Sequence, residues 1–323
     1  MARILVTGGS GFIGTNLVEY YRARGDQVIN LDIAPPRNPE HGALWQKTDL
    51  LDRVGLARAV ADADPEIVFH MAARTDLDGK AIHGYPANSE GVANLIDALC
   101  KVRALRLTIF ASSMLVCSIG YRPKGEEDYC PSTAYGESKV AGEQLVRNKA
   151  TGAFPWVIVR PTSIWGPWFG TPYGDFFMAV QRGLYMHPRG RRIQRSYGFV
   201  LNSVAQLDRL AAIGGGPLMG RTVYLADYEP IELKCWADTI QQALGARPVR
   251  EVPLWLLQSM AMGGDLLKHL GYATPPLNSV RLNNLLTEMI HDTEPLRGIC
   301  GDLPYSMEQG VRITCDWLLR NPT

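Results

Sequence analysis

Short apolar runs alternate with stretches of helical spacing through the first half of the chain. Ile4–Thr7, Val28–Asp32, Ile67–His70, Leu107–Ser112 and Val157–Arg160 are bounded by turns and read as buried strands. Between them, Phe12–Arg24, Val54–Ala61, Asn88–Val102 and Thr133–Lys149 carry apolar residues at helical spacing. Strand–helix alternation of this kind predicts an α/β domain, a doubly wound parallel sheet with helices on both faces.

The pattern loosens after Arg160. A turn-rich stretch containing WGPWFG leads to a predicted helix at Phe176–Arg182, a basic segment Arg189–Arg195, a short strand and a helix at Ser203–Ile213. The remainder is helix-rich and closes on an amphipathic stretch from Ser306 to Leu319. The expected organisation is a Rossmann-type domain over residues 1–165, to which 199–226 return. Residues 166–198 and 227–323 then form a smaller, helix-rich substrate-binding cap. The apolar stretch Pro253–Leu270 is interrupted by Gln258, Gly263, Gly264, Asp265 and Lys268. That is too broken for a span of about 20 residues, and it reads as a buried helix or two short ones.

Residues 7–14 read TGGSGFIG, between a strand and a helix. A dinucleotide-binding turn needs this context: Gly8, Gly9, Gly11 and Gly14 permit a tight turn and close backbone approach to a pyrophosphate. Phe12 and Ile13 open the helix whose free N–H groups meet the phosphate charge. Asp32 ends the second strand, where a carboxylate can bind both adenosine ribose hydroxyls and repel a 2′-phosphate. It favours NAD over NADP, although Arg37 lies close enough to keep NADP open.

Composition narrows the partners. Thirty-three Lys and Arg nearly balance thirty-two Asp and Glu among 323 residues, so no global field attracts nucleic acid or anionic lipid. Neither a nucleic-acid nor a membrane partner is expected. Six scattered cysteines form no C-x-x-C pair and no His cluster joins them, so no metal site is expected, and a reducing cytoplasm fits. The N-terminus does not read as a signal peptide.

Tyr135 and Lys139 stand four residues apart in YGESK and share one helical face. Hydride removal from a carbinol carbon requires loss of the hydroxyl proton, and a free phenol of pKa about 10 is a poor base at neutral pH. A neighbouring ammonium stabilises the phenolate and moves that value towards the working range. Lys139 can also hold the nicotinamide ribose. A hydroxyl at the end of the preceding strand would hold the substrate oxygen. Ser113 is the first choice and Ser112 the alternative.

Together these residues resemble the extended short-chain dehydrogenase/reductase superfamily, in its NAD-dependent epimerase/dehydratase branch acting on nucleotide sugars. The resemblance runs from TGGSGFIG through YGESK and VRPTSIWGP to the closing MEQGVRITCDWL. It implies that Asp49 and Leu50 bracket the adenine, and that Met71, Ala72 and Ala73 lie beneath the nicotinamide ribose. Asn88, Ser112 and Pro161 would complete the cofactor's surroundings. It also implies substrate contacts from Ser112, Ser113 and Ser163, with Arg195 and Arg281 meeting a nucleotide diphosphate. A homodimer is implied, formed by pairing the helices at Asn88–Val102 and Thr133–Lys149, although the apolar residues there serve equally as core.

Departures from the family pattern bear on the reaction. Met114 and Leu115 occupy the places where sugar-nucleotide dehydratases carry an acid pair, which disfavours 4,6-dehydration. Ser163 stands where many members have Asn, and Asn202 where an acid is usual. The resemblance implies an epimerase working through a transient keto-sugar, first at C4. A dehydrogenase or 4-keto-reductase would use the same three side chains. A reductase of a sterol- or flavonoid-like substrate would suit the apolar Pro253–Gly271 stretch but not the arginines. A non-catalytic NAD(H) sensor would have no use for Ser113, Tyr135 and Lys139.

Overall fold

The computed structural model describes residues 1–272 and 277–321. It resolves into two compact units. The first joins Met1–Phe169, Gly198–Tyr228 and Asp292–Tyr305; the second joins Gly170–Tyr197, Glu229–His291 and the stretch from Ser306 onward. The segment Asp292–Tyr305, read from sequence with the cap, thus packs with the first unit.

The first unit is built on seven strands: β1 (Arg3–Thr7), β2 (Gln27–Asp32), β3 (Trp45–Lys47), β4 (Ile67–His70), β5 (Leu107–Ala111), β6 (Trp156–Pro161) and β11 (Thr222–Leu225). They lie in the order β11-β6-β5-β4-β1-β2-β3, all parallel. The edge strand β3 is too short to stand out in the apolar pattern, and β11, as long as β4, has no counterpart among the predicted strands. Parallel strands need long crossovers, usually helical, and six helices cover the sheet: α1 (Phe12–Ala23), α2 (Arg53–Ala63), α3 (Pro86–Leu99), α4 (Ala134–Lys149), α6 (Val200–Ala212) and α10 (Glu294–Cys300), while β2 and β3 are joined through a 3-10 turn at Pro39–Leu44.

Period-two alternation assigns each strand residue to a face. Ile4, Val6, Ile109, Val157 and Val159 meet α1, α6 and α10 in one core. Leu5, Val68, Phe110 and Ile158 meet α2, α3 and α4 in the other. Burial on both faces is why these strands read as unbroken apolar runs. The chain winds from β1 outward through β2 to β3, then returns to β4 and winds the other way. The carboxyl ends of β1 and β4 therefore flank a topological switch point, where such sheets bind ligands.

Asn202, in α6, is fully buried. Its amide donates to the Asp227 carboxylate at 3.0 Å and to the Tyr305 carbonyl at 2.9 Å, and accepts from the Tyr305 N–H at 3.0 Å. An acid at 202 would set a second negative charge against Asp227, which gives the departure at this position a physical reason. Asp227 also accepts from the Phe199 N–H at 3.1 Å, and burial pushes its carboxyl up to about 7. The folded chain therefore holds this proton more tightly than the unfolded chain. Stability is expected to fall as pH rises from about 4 to about 7, by at most about 1.4 kcal/mol per pH unit. Asp227→Asn should flatten that slope, measured by urea denaturation across the same interval.

In the second unit, β8 (Met186–Pro188) pairs with β13 (Arg250–Val252), and β9 (Gln194–Arg195) with β12 (Ile231–Glu232). β10 (Tyr197–Phe199) leads into α6. The helices are α5 (Tyr173–Gln181), α7 (Leu233–Ala243), α8 (Leu254–His269), α9 (Ser279–Leu286) and α11 (Met307–Arg320). Trp236 of α7 is the centre of this core: the Phe176 ring stacks on it at 4.8 Å, and Phe177 and Tyr197 pack around it. The expectation for Pro253–Leu270 is corrected. It forms a single helix, buried only at Leu257, Ala261 and Gly264, a one-sided i, i+4, i+7 stripe. Apolar residues on all sides suggested full burial, but the outward side is exposed. Among the described residues, no helix is long and apolar enough to cross a membrane.

Candidate active site

The carboxyl ends of β1, β2, β4 and β5, with the first turns of α1 and α4, bring most of the anticipated residues to one edge of the sheet. Gly8 turns the chain with φ +74°, and a Cβ there would lie 2.4 Å from the Ala72 nitrogen. A Cβ on Gly14 would lie 2.1 Å from the Gly8 carbonyl oxygen, so the helix can start this close to the turn only without a side chain. The Gly11 N–H closes the turn on the Gly8 carbonyl at 3.0 Å. Asp32 braces the turn from β2, accepting from the Ser10 N–H at 3.0 Å and from the Ala34 N–H at 2.9 Å. A carboxylate offers about four acceptor sites, so those two bonds leave capacity for ribose hydroxyls. The Arg37 guanidinium is engaged elsewhere, donating to the Trp168 carbonyl at 2.5 Å.

β4 delivers His70, Met71, Ala72 and Ala73 to the same edge. His70 is buried, its Nδ1 lies 2.7 Å from the Thr7 hydroxyl, and burial reinforced by the nearby Lys139 charge lowers it to about 3. It is a neutral brace. Leu50 is buried and Asp49 is exposed, with its carboxylate accepting from the Leu51 N–H at 2.9 Å. Asn88, in the first turn of α3, makes three side-chain hydrogen bonds. Its Oδ1 accepts from the Arg74 N–H, and its Nδ2 donates to the Arg74 carbonyl and the Ser138 hydroxyl, each at 2.9 Å. These bonds fix the loop after Ala73 and tie α3 to α4.

α4 starts where it does because the Thr133 hydroxyl accepts from the Gly136 N–H at 3.0 Å. That cap sets Tyr135 and Lys139 on the face towards β5. Ser113, just past β5, caps a short turn at Met114–Val116 by accepting from the Leu115 N–H at 3.1 Å, and its hydroxyl favours the ionised form of the Tyr135 phenol. Burial raises the phenol to about 12, against the opposing effect of the Ser113 hydroxyl. The Lys139 ammonium donates to the Ala111 carbonyl at 3.0 Å. Burial lowers it to about 8, and the Glu143 carboxylate works the other way. At neutral pH the pair is a neutral phenol beside a cation. Ser112 lines a small cavity with Lys139, Glu143, His70 and Asn88, and its buried hydroxyl has no hydrogen-bond partner among the described residues.

Sequence reasoning missed the support beneath this face. Glu143 lies one turn beyond Lys139, and its carboxylate takes two 2.8 Å bonds from the Arg160 guanidinium and one of 3.0 Å from the Tyr129 hydroxyl. The signal was the four-residue step from 135 to 139 to 143, which puts three ionisable side chains on one face. Pro161 follows Arg160 at the end of β6, and Ser163 is buried in β7 (Ser163–Trp165). The two arginines expected at a diphosphate belong to the second unit. Arg195 donates through Nη2 to the carbonyls of Asn284 and Thr287 at the end of α9, and Arg281 is exposed in the first turn of that helix. Among the described residues, no cluster of His, Cys, Asp or Glu could hold a metal ion.

Residues 4–182 match the model of the NAD-dependent epimerase/dehydratase family. The chain belongs to that family. It is an enzyme of the extended short-chain dehydrogenase/reductase type with NAD as its cofactor, and the side-chain-free cradle at Gly8 and Gly14, with Asp32 beside it, fits a dinucleotide. The 3β-hydroxysteroid dehydrogenase/Δ5→4-isomerase of Mycobacterium tuberculosis is 31% identical over 271 residues, 76% of this chain and 70% of that protein. The N-acetyl-α-D-glucosaminyl-diphospho-ditrans,octacis-undecaprenol 4-epimerase of Escherichia coli O157:H7 is 24% identical over 97% of this chain and 94% of its own. The crystal structure of UDP-glucose 4-epimerase with UDP-glucose from Thermotoga maritima superposes with a TM-score of 0.73, at 19% identity over 99% of both chains. That likeness shows the shared fold.

Proposed function

We propose that this enzyme is an NAD-dependent epimerase of a nucleotide-linked sugar, acting through a transient keto-sugar at C4. The observation that carries the proposal is Tyr135 and Lys139 on one face of α4, with the Lys139 ammonium bonded to the Ala111 carbonyl at the end of β5, two residues before Ser113, and a glycine cradle after β1. Tyr135 takes the substrate hydroxyl proton, Ser113 holds the oxygen that loses it, and Lys139 stabilises the phenolate. Held at Gly8, Gly14 and Asp32, NAD would supply the hydride acceptor and donor for the carbinol carbon. Met114 and Leu115 follow Ser113 without a proton to give or take, which supports epimerisation over dehydration. The relative that is a 4-epimerase of an N-acetylglucosaminyl-diphospho-undecaprenol supports the C4 part of the reading.

A second reading, oxidation of an apolar secondary alcohol, is favoured by a specific observation. The Arg195 guanidinium is held by the carbonyls of Asn284 and Thr287, and the relative at 31% identity is a steroid dehydrogenase. One experiment separates the two. The purified protein is followed by NMR with UDP-, GDP-, CDP- and dTDP-hexoses, and in parallel with a 3β-hydroxysteroid and NAD+. An epimerised hexose without net NADH formation is expected. Steroid oxidation with stoichiometric NADH would replace the proposal with the second reading.

Cofactor choice follows from Asp32. Asp32→Asn removes the charge while leaving an acceptor oxygen for one of the two turn N–H groups. It is expected to raise the kcat/KM ratio for NADP over NAD by about tenfold or more, read from initial rates with each cofactor.

A further inference from the structure

Two thiols face each other at the base of the loop that joins Ser113 to α4. Cys117 and Cys130 are both free, Cys117 buried and Cys130 partly exposed. They are partners in a parallel bridge outside the main sheet. The Cys130 N–H donates to the Val116 carbonyl at 3.1 Å, and the Ser118 N–H to the Cys130 carbonyl at 2.6 Å. Bridge partners on neighbouring strands stand about 4.7–4.9 Å apart with side chains on the same side. A disulfide spans Cα atoms about 4.4–6.8 Å apart, so this pair is within its reach. On one side, Cys117 closes the turn that Ser113 opens, its N–H donating to the Met114 carbonyl at 3.2 Å. On the other, Cys130 precedes Thr133, whose hydroxyl caps α4 two residues before Tyr135. The loop between them is anchored as well. The Glu126 carbonyl accepts from Arg160 at 2.5 Å, and the Tyr129 hydroxyl donates to Glu143 at 3.0 Å.

We propose that Cys117 and Cys130 are a redox-responsive pair, joined into a disulfide by glutathione disulfide and released by excess thiol, and that the bond slows the enzyme. The effect on rate rests on the roles proposed for Ser113 and Tyr135; formation of the bond does not. Burial pushes the Cys117 thiol up, so the partly exposed Cys130 reacts first. Its sulfur attacks one sulfur of glutathione disulfide and releases one glutathione. Cys117 then attacks the Cys130 sulfur and releases the second. Two protein thiols are oxidised, one disulfide is reduced, and the two thiol protons end on the two glutathiones. The geometry makes the bond reversible. Partners on neighbouring strands hold their Cβ atoms about 4.8 Å apart, whereas a disulfide holds them about 3.8 Å apart. Bonding therefore draws the two segments together by about 1 Å, and a disulfide formed under that strain is readily reduced. The same shift reaches Ser113 through its turn and Tyr135 through the cap of α4. A displacement of about 1 Å between reacting groups costs as much as a hundredfold in rate.

The test incubates the full chain with glutathione disulfide, blocks remaining thiols with N-ethylmaleimide in denaturant and maps the peptides by mass spectrometry. A cross-link between the peptides carrying Cys117 and Cys130 is expected, and dithiothreitol should remove it. Turnover of the hexose that the reduced enzyme epimerises should fall about tenfold or more and return with dithiothreitol. Cys130→Ser and Cys117→Ala, made separately, should keep the wild-type rate and lose its sensitivity to glutathione disulfide. Glutathione left on Cys130 without a cross-link overturns the proposal. So does a cross-link that leaves turnover unchanged, or inhibition that persists in both variants. If the reduced enzyme turns over the 3β-hydroxysteroid instead, the rate is read on that substrate. Absence of turnover on both substrates counts against the proposed reaction, and the cross-link still decides the pair.

Discussion

Tyr135→Phe is expected to lower turnover by about two to four orders of magnitude while leaving NAD affinity and the thermal midpoint close to wild type. The ring is buried, and a phenylalanine keeps its edge contact with Tyr85, whose centroid is 6.0 Å away. Ser113 still accepts from the Leu115 N–H, so the turn after β5 stays capped. What disappears is the only proton acceptor that α4 presents beside Ser113. Burial by itself makes that phenol a worse base, about 12 against its ordinary 10. Proton removal therefore depends on positive charge brought close when the cofactor binds, added to the Lys139 ammonium. The effect should appear in kcat more than in KM, because the interaction lost is one made in the transition state. Single-turnover hydride transfer, read alongside cofactor titration, checks both halves. A variant that retains turnover within tenfold would remove Tyr135 from the chemistry.

The first unit was legible from sequence because its signals are local. A parallel strand buried on both faces must be an apolar run, a phosphate-facing turn must shed its side chains, and a tyrosine and lysine on one helical face must stand four apart. Each condition leaves its mark within a dozen residues. The bonds that Asn88 makes were not legible, for the opposite reason. Its position follows α3, but its amide is spent on Arg74 and Ser138, and Ser138 lies fifty residues away. Arg195 shows the same limit: its guanidinium meets carbonyls about ninety residues later in the chain. Long-range hydrogen bonds have no periodicity to read. The helix at 254–269 failed for a third reason, since apolar composition reports a preference for leaving water and cannot name what replaces the water.

Breaking the ion pair beneath Lys139 is expected to be the costliest single change to stability. The side chains of Arg160 and Glu143 are 2% and 1% exposed, joined by two parallel 2.8 Å bonds. The guanidinium also lies between the rings of Tyr129 and Tyr224, 5.4 Å and 5.7 Å from their centroids, and donates to the Glu126 carbonyl. Arg160→Met leaves a buried carboxylate with Tyr129 as its remaining donor, a loss of about 3–5 kcal/mol. Typical folding stabilities are about 5–15 kcal/mol, so the variant should melt far below wild type. Adding Glu143→Leu removes the stranded charge, and the double variant should recover much of the loss, because two apolar side chains avoid the desolvation that one unpaired ion cannot. It should not recover the acid–base behaviour of the site. Without the Glu143 carboxylate one turn away, nothing on α4 opposes the burial that already lowers Lys139 to about 8, and the ammonium should lose its proton at lower pH. Rates in the double variant should therefore fall off earlier on the alkaline side than in wild type. Urea denaturation of the three variants, paired with their pH–rate profiles, separates the structural part of the pair from its effect on the lysine.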